Sequence, residues 1–277
     1  MTQSIGRAYV TVMNQIDFVE LLNHSQSAGH TETAVYGAES PSQFGQIWRP
    51  AGDGPYPAVM FLHGGCWSSA FDLAHARGFC QALAEWGFLV WLPEYRRVGE
   101  VGGGWPGTFL DVTEAAQWFW TTWGGQIDPD RRFLAGHSAG AHLALWLNGG
   151  SPGLASNVQD AAKPWRQVLA FAPITDLERY SQGRASCQLM ASALLASAGG
   201  VRAASLSPRP TQMVAGVTVF YSALDVIVPA EQCLVFAAAS GCELIEMPQA
   251  GHFDFVHPET DAGRAVIKFF KGLSDGS

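Results

Sequence analysis

A serine flanked by glycines, Gly136-His137-Ser138-Ala139-Gly140, is the segment of this chain whose residue types and spacing best suit a nucleophile. The apolar run Phe133-Leu134-Ala135 precedes it, and Ala141 to Leu147 follows with helical spacing. Strand, Gly-x-Ser-x-Gly, helix is the setting in which this pattern carries an activated serine. The chain must turn sharply there, and glycines leave room that a Cβ would fill. The turn lifts the Ser138 hydroxyl clear of the sheet. It also puts the Ala139 N–H at a helix N-terminus, where unpaired donors favour a developing negative charge. An ordinary tight turn fits the same five residues in a chain with 31 glycines, so the partners of the serine have to be found elsewhere.

Those partners are a base, an acid that orients it, and donors for an oxyanion. Where this turn bears a nucleophile, acid and base follow in the order Ser, acid, His, beyond the ends of later strands. Asp225 lies four residues past the apolar run Val217–Tyr221, and His252 lies just past Leu244–Met247. Alone, Asp225 reads equally well as a turn or helix-capping residue and His252 as a loop histidine; their joint placement behind Ser138 assigns them as acid and base. Asp254 is the rival acid, but two positions from His252 it is poorly placed to reach that ring's Nδ1. The loop His63-Gly64-Gly65-Cys66-Trp67 follows another apolar run, and the Gly65 and Cys66 N–H groups are expected to join Ala139 as the oxyanion donors. His63 is expected to pin that loop, and Cys66, with no base of its own, is not a nucleophile. Trp67, Tyr95, Trp105 and Phe253 fall in loops at the same end and are the candidates for substrate-pocket walls.

Other signals carry less. Gly102 to Gly107 fits GxGxxG, but no strand leads directly into it, so nucleotide binding is not expected. His252, Asp254 and His257 do not complete a metal shell at their spacing; no metal or cofactor is expected. The net charge is -8 and basic residues form only pairs, which argues against nucleic-acid binding. Residues 1–7 lack the features of a signal peptide, and no apolar run reaches the length of a membrane span. The five cysteines, Cys66, Cys80, Cys187, Cys233 and Cys242, show no close pairing and are expected to be free thiols in a reducing cytoplasm.

The elements that must position these residues alternate. Strands are expected at 33–36, 44–48, 58–62, 88–92, 133–135, 168–171, 217–221 and 244–247. Helices are expected at about 8–28, 72–86, 108–123, 138–148, 230–240 and 258–271. Such alternation predicts an α/β fold with a mostly parallel sheet covered on both faces. Thr175 to Pro210, rich in Ser and Ala with a helical piece at 186–198, breaks the rhythm and reads as a small lid-like insertion in a single domain spanning 1–277.

These motifs together resemble the α/β-hydrolase superfamily, most closely its kynurenine formamidase (arylformamidase) and small carboxylesterase branch. That branch carries a His-Gly-Gly-x-Trp loop, matched by His63 to Trp67, and often Gly-His-Ser-Ala-Gly-x-His-Leu, matched by Gly136 to Leu143. Ile174-Thr175-Asp176-Leu177 and Gly251-His252-Phe253-Asp254 are similar to two further segments of it, and the likeness runs from about Phe44 to Phe270. Cys66 stands where the formamidases commonly have a larger residue. The resemblance implies a cofactor-free serine hydrolase acting on a small ester or N-acyl (formyl) aromatic amide. The competing reading is a catalytically silent ligand-binding protein on the same fold. No macromolecular or membrane partner is expected, and a homodimer is compatible with the sequence.

Overall fold

Continuous apolar runs such as Ala58–Leu62 and Val168–Phe171 suit strands covered on both faces, and the chain assembles its strands into one sheet. The computed structural model describes residues 15–150, 165–199 and 205–276. Its strands are β1 (Glu32–Val35), β2 (Phe44–Trp48), β3 (Tyr56–Leu62), β4 (Leu89–Pro93), β5 (Ile127–His137), β6 (Gln167–Phe171), β7 (Gly216–Tyr221) and β8 (Glu243–Glu246). They lie in the order β1-β2-β4-β3-β5-β6-β7-β8. β1 with β2 and β2 with β4 are antiparallel, and every other pair is parallel. The register sets Leu62 beside Gly136 and His137 beside Phe171, so β3, β5 and β6 finish together at one edge.

The helices are α1 (Phe18–Gln26), α2 (Arg77–Glu85), α3 (Gly107–Thr122), α4 (Ala139–Asn148), α5 (Ser186–Ser197), α6 (Ala230–Ser240) and α7 (Asp261–Asp275). Strand alternation feeds two apolar layers. Ala58, Met60 and Leu62 of β3 join Phe109, Trp146 and Phe236 on one face. Val59 and Phe61 join Leu21, Phe79 and Phe270 on the other. α4 is buried along its whole length, which is why its sequence shows no polar face.

Several boundaries differ from the sequence expectation. β5 begins at Ile127, because Ile127 pairs with Tyr56 across an irregularity before the polar stretch Asp128–Arg132; those charges hide the strand from a reading by hydrophobicity. The last helix starts at Asp261, where the Thr260 side chain caps it by accepting from Gly263 N–H. The first helix starts at Phe18; residues 8–14 of its expected span, and the seven leading residues read for a signal peptide, lie outside the described residues. The insertion holds a one-turn helix at Leu177–Tyr180 and then α5, with 200–204 outside the described residues. No helix among the described residues is long and apolar enough to cross a membrane.

Candidate active site

Ser138 sits between β5 and α4 with φ 55° and ψ -118°, a backbone conformation that a non-glycine residue adopts only when its surroundings enforce it. Its N–H donates to Phe171 O at 2.9 Å, and its carbonyl accepts from His142 N–H at 3.0 Å, which starts α4. The flanking glycines are steric requirements. A Cβ on Gly140 would lie 2.0 Å from Leu62 O, and one on Gly136 would lie 2.4 Å from Gly140 O. The Ser138 hydroxyl is buried and has no hydrogen-bond partner among the described residues. Such contacts often tighten only with substrate.

The loops after β7 and β8 bring Asp225 and His252 together. His252 Nδ1 donates to Asp225 Oδ2 at 2.6 Å, so the carboxylate engages that nitrogen and not Nε2. The other carboxylate oxygen of Asp225 accepts from Ile227 N–H at 2.8 Å and Val228 N–H at 2.9 Å. Asp254, the rival acid, points at backbone: it accepts from Gly251 N–H at 2.8 Å and Ile16 N–H at 3.0 Å. His257 lies farther along, its ring 4.3 Å from that of His24. His137, next to the serine, donates from Nε2 to His252 O at 2.8 Å. Burial first, then His252, holds the His137 pKa well below its ordinary value, so this strut is a neutral imidazole.

The third loop, after β3, runs against the elbow: a Cβ on Gly64 would lie 3.1 Å from His137 O and 3.4 Å from Ser138 Cβ. Gly65, Cys66 and Trp67 take φ values of 103°, 57° and 55°, so the loop turns tightly beside Ser138. His63 fixes it, as its sequence setting suggests. Its Nε2 lies 2.9 Å from Glu94 Oε1 and its Nδ1 2.8 Å from Gly64 O. The ring stacks on Tyr95, whose hydroxyl donates to His63 O. Glu94 also accepts from Leu73 and Tyr95 N–H. Burial alone would raise its pKa, but His63, Arg97 and the Tyr95 N–H together hold it below the ordinary value.

The expectation of five free thiols is overturned. Cys66 forms a disulfide with Cys187, 121 residues away at the start of α5, so the start of α5 is strapped to the loop after β3. Fold topology brings the two together, and nothing in their spacing announces it. Cys80, Cys233 and Cys242 are free. The argument for a reducing compartment rested on unpaired cysteines and loses that premise.

Ser138 and His252 face one cavity of about 260 Å³, whose lining includes Gly65 and Cys66 on one side and Phe253 on another. Of the four aromatics expected there, only Phe253 lines it. Trp67 and Tyr95 are fully buried, Trp67 edge-on to His142 and Tyr95 under His63. Trp105 packs on Phe109 and donates its backbone N–H to Ser197. Loop position alone could not tell that these rings pack against neighbouring side chains and not toward the cavity. Their places are taken by Phe18, Phe71, Tyr180 and Ile227, none of which carries a sequence signal distinguishing it from core. A larger surface cavity, about 580 Å³, lies between the 247–250 loop and the start of α7 and contains neither Ser138 nor His252.

The chain is 25% identical over 249 residues to esterase LipQ of Mycobacterium tuberculosis, covering 83% of itself and 58% of that protein; it thus spans little more than half the relative's length. Its fold superposes on esterase B of Lactobacillus rhamnosis with a TM-score of 0.73 at 20% identity, over 88% of this chain and 85% of that one. For the butyrate-bound Est2 esterase of Thermogutta terrifontis the TM-score is 0.72 at 21% identity, over 90% and 96%. The sequence model of the BD-FAE family matches residues 46–239, a span that runs from β2 to the end of α6. With that match and this sheet, the chain belongs to the BD-FAE family and has the α/β-hydrolase fold.

Proposed function

We propose that this protein is a serine esterase that cleaves small carboxylic esters through an acyl-enzyme on Ser138. One observation carries the reading: His252, joined to Asp225 at 2.6 Å, lines the same cavity as a serine held in a strained turn. The esterase names of LipQ, esterase B and Est2 support it.

In this mechanism His252 Nε2 takes the proton from Ser138 Oγ as that oxygen attacks the acyl carbon. Asp225 holds the Nδ1–H tautomer and stabilises the imidazolium. The carbonyl oxygen becomes an oxyanion facing the N–H groups of Gly65, Cys66 and Ala139, each worth roughly 3 kcal/mol of barrier. Collapse breaks the bond to the leaving oxygen, which receives the proton from His252. Water then gives its proton to His252 and attacks the acyl-enzyme, releasing the acid and restoring Ser138. No cofactor enters any step. N-acyl aromatic amides, N-formylkynurenine among them, would follow the same path with an amine as leaving group.

The cavity of about 260 Å³ lies below the range usual for drug-sized ligands, which favours short acyl chains. Acetyl to butyryl esters should turn over well, and octanoyl esters should fall off steeply. A fluorophosphonate probe tests the core of the reading. It should modify the wild-type protein at Ser138 and leave Ser138→Ala unlabelled; a folded wild-type protein that resists the probe would support the silent ligand-binding reading instead.

A further inference from the structure

The N-terminal helix reaches the cavity. Phe18, the first residue of α1, lines it together with Phe71 and Phe253. The Phe18 ring centroid lies 5.1 Å from that of Phe71, 5.7 Å from Phe253 and 5.4 Å from His75. These separations are those of an aromatic cluster. All three phenylalanines are only partly buried, so each keeps ring surface toward the space beside Ser138.

The helix is held in register with the site at both ends. Ile16 N–H, just before α1, donates to Asp254 Oδ1, whose other oxygen holds Gly251 N–H of the His252 loop. At the far end, Ser25 Oγ donates to His75 O and accepts from Gly78 N–H. Leu21 between them is fully buried. Phe18 is therefore fixed relative to His252. It also lies outside residues 46–239, the part matched by the family, whereas Phe71 lies within it.

We propose that Phe18 is a specificity-determining residue: with Phe71 and Phe253 it forms an aromatic wall that receives a flat ring of the substrate. The proposal rests on the esterase reading for its kinetic test. A ring could reach the wall from the alcohol or the acyl side of the ester, and two substrate pairs separate these. 4-Nitrophenyl butyrate against ethyl butyrate places the ring in the leaving group. Methyl phenylacetate against methyl butyrate places it in the acyl group.

The experiment compares Phe18→Leu, which keeps apolar bulk without a ring, with Phe18→Tyr, which keeps the ring. Val19→Ala, on the exposed side of α1, is the control for general disturbance of the helix. In Phe18→Leu the aryl-to-alkyl ratio of kcat/KM should fall about fivefold for one pair, the value expected for one lost aromatic contact, and mainly through KM. Phe18→Tyr should restore the ratio, and Val19→Ala should not move it. Equal losses on aryl and alkyl esters, or an unchanged ratio in both pairs, would overturn the proposal. Should the wild-type protein hydrolyse none of these esters, the esterase reading fails and the wall is judged by binding. Titration of 4-nitrophenyl butyrate into Ser138→Ala and into the Ser138→Ala, Phe18→Leu double variant should then show weaker binding to the double variant. Equal affinity would overturn the wall as well.

Discussion

Two loops meet at Ser138, and they are held in opposite ways. The loop after β3 is fixed by a buried polar hub, His63 and Arg97 on Glu94, and by a covalent strap from Cys66 to Cys187. The loop after β8 is fixed by hydrogen bonds to its backbone: Asp254 holds Gly251 N–H, and neutral His137 holds His252 O. The difference fits the two proposed tasks. Oxyanion donors must keep their aim while charge develops, so a rigid loop serves them. A base must carry a proton between two oxygens, and a loop held by its backbone leaves the His252 ring free on its Nε2 side.

The largest effect belongs where the loops meet. Ser138→Ala and His252→Ala should each lower kcat by on the order of 10⁴-fold with folding intact, and Asp225→Asn should also be severe. Losses below about tenfold in steady-state assays would remove these residues from the chemistry.

Acid should strain the serine side next. Burial, then the charge of His63, lowers the His75 pKa to about 3, and burial lowers that of His142 to about 4. A histidine whose folded pKa is depressed binds fewer protons than the unfolded chain in the window between the two values, so stability rises with pH there. Each should contribute fully above about pH 6.5 and lose about 1.4 kcal/mol per pH unit below it, down to its folded value. Urea titrations from about pH 7 to pH 4 should show this fall, and His75→Phe should flatten it. An unchanged acid limb in that variant would clear His75 of the effect.

The hub is the third target. Glu94 would keep Arg97 and two backbone donors, so His63→Ala should cost about 2–4 kcal/mol, the lost hydrogen bond to a carboxylate plus the cavity left by the ring. Calorimetry that finds a marginal change would move the rigidity of this loop onto the strap alone. Cys187→Ser tests the strap directly and should cost about 2–4 kcal/mol; a smaller loss would show that the insertion is held by packing. The smallest effect belongs to the other loop. Asp254→Asn keeps shape while weakening two backbone contacts and should cost about 1–2 kcal/mol. A loss of activity larger than that of Asp225→Asn would reverse the choice of acid.

The strand positions and the approach of Asp225 to His252 were legible because each residue follows an apolar run in a fixed chain order. Gly136 and Gly140 were legible for a steric reason, since carbonyl oxygens lie where their Cβ atoms would be. The pocket walls were not. Trp67 and Phe253 both sit in loops beside the site, yet one ring packs inward on His142 and the other faces the cavity. That choice depends on what the insertion leaves to fill. Phe18 belongs to a helix to which the sequence assigns no part in the site, and the Cys66–Cys187 bond joins residues that no local pattern relates.

That bond has a consequence for how the protein meets its substrate. Residues 66 to 187 form a closed covalent ring, which takes in the insertion only up to the start of α5. A cover that swings aside at an oil surface needs free ends, and the bond anchors the start of α5 beside the proposed oxyanion donors. Hydrolysis should therefore track the concentration of dissolved ester and show no jump as the solution passes saturation.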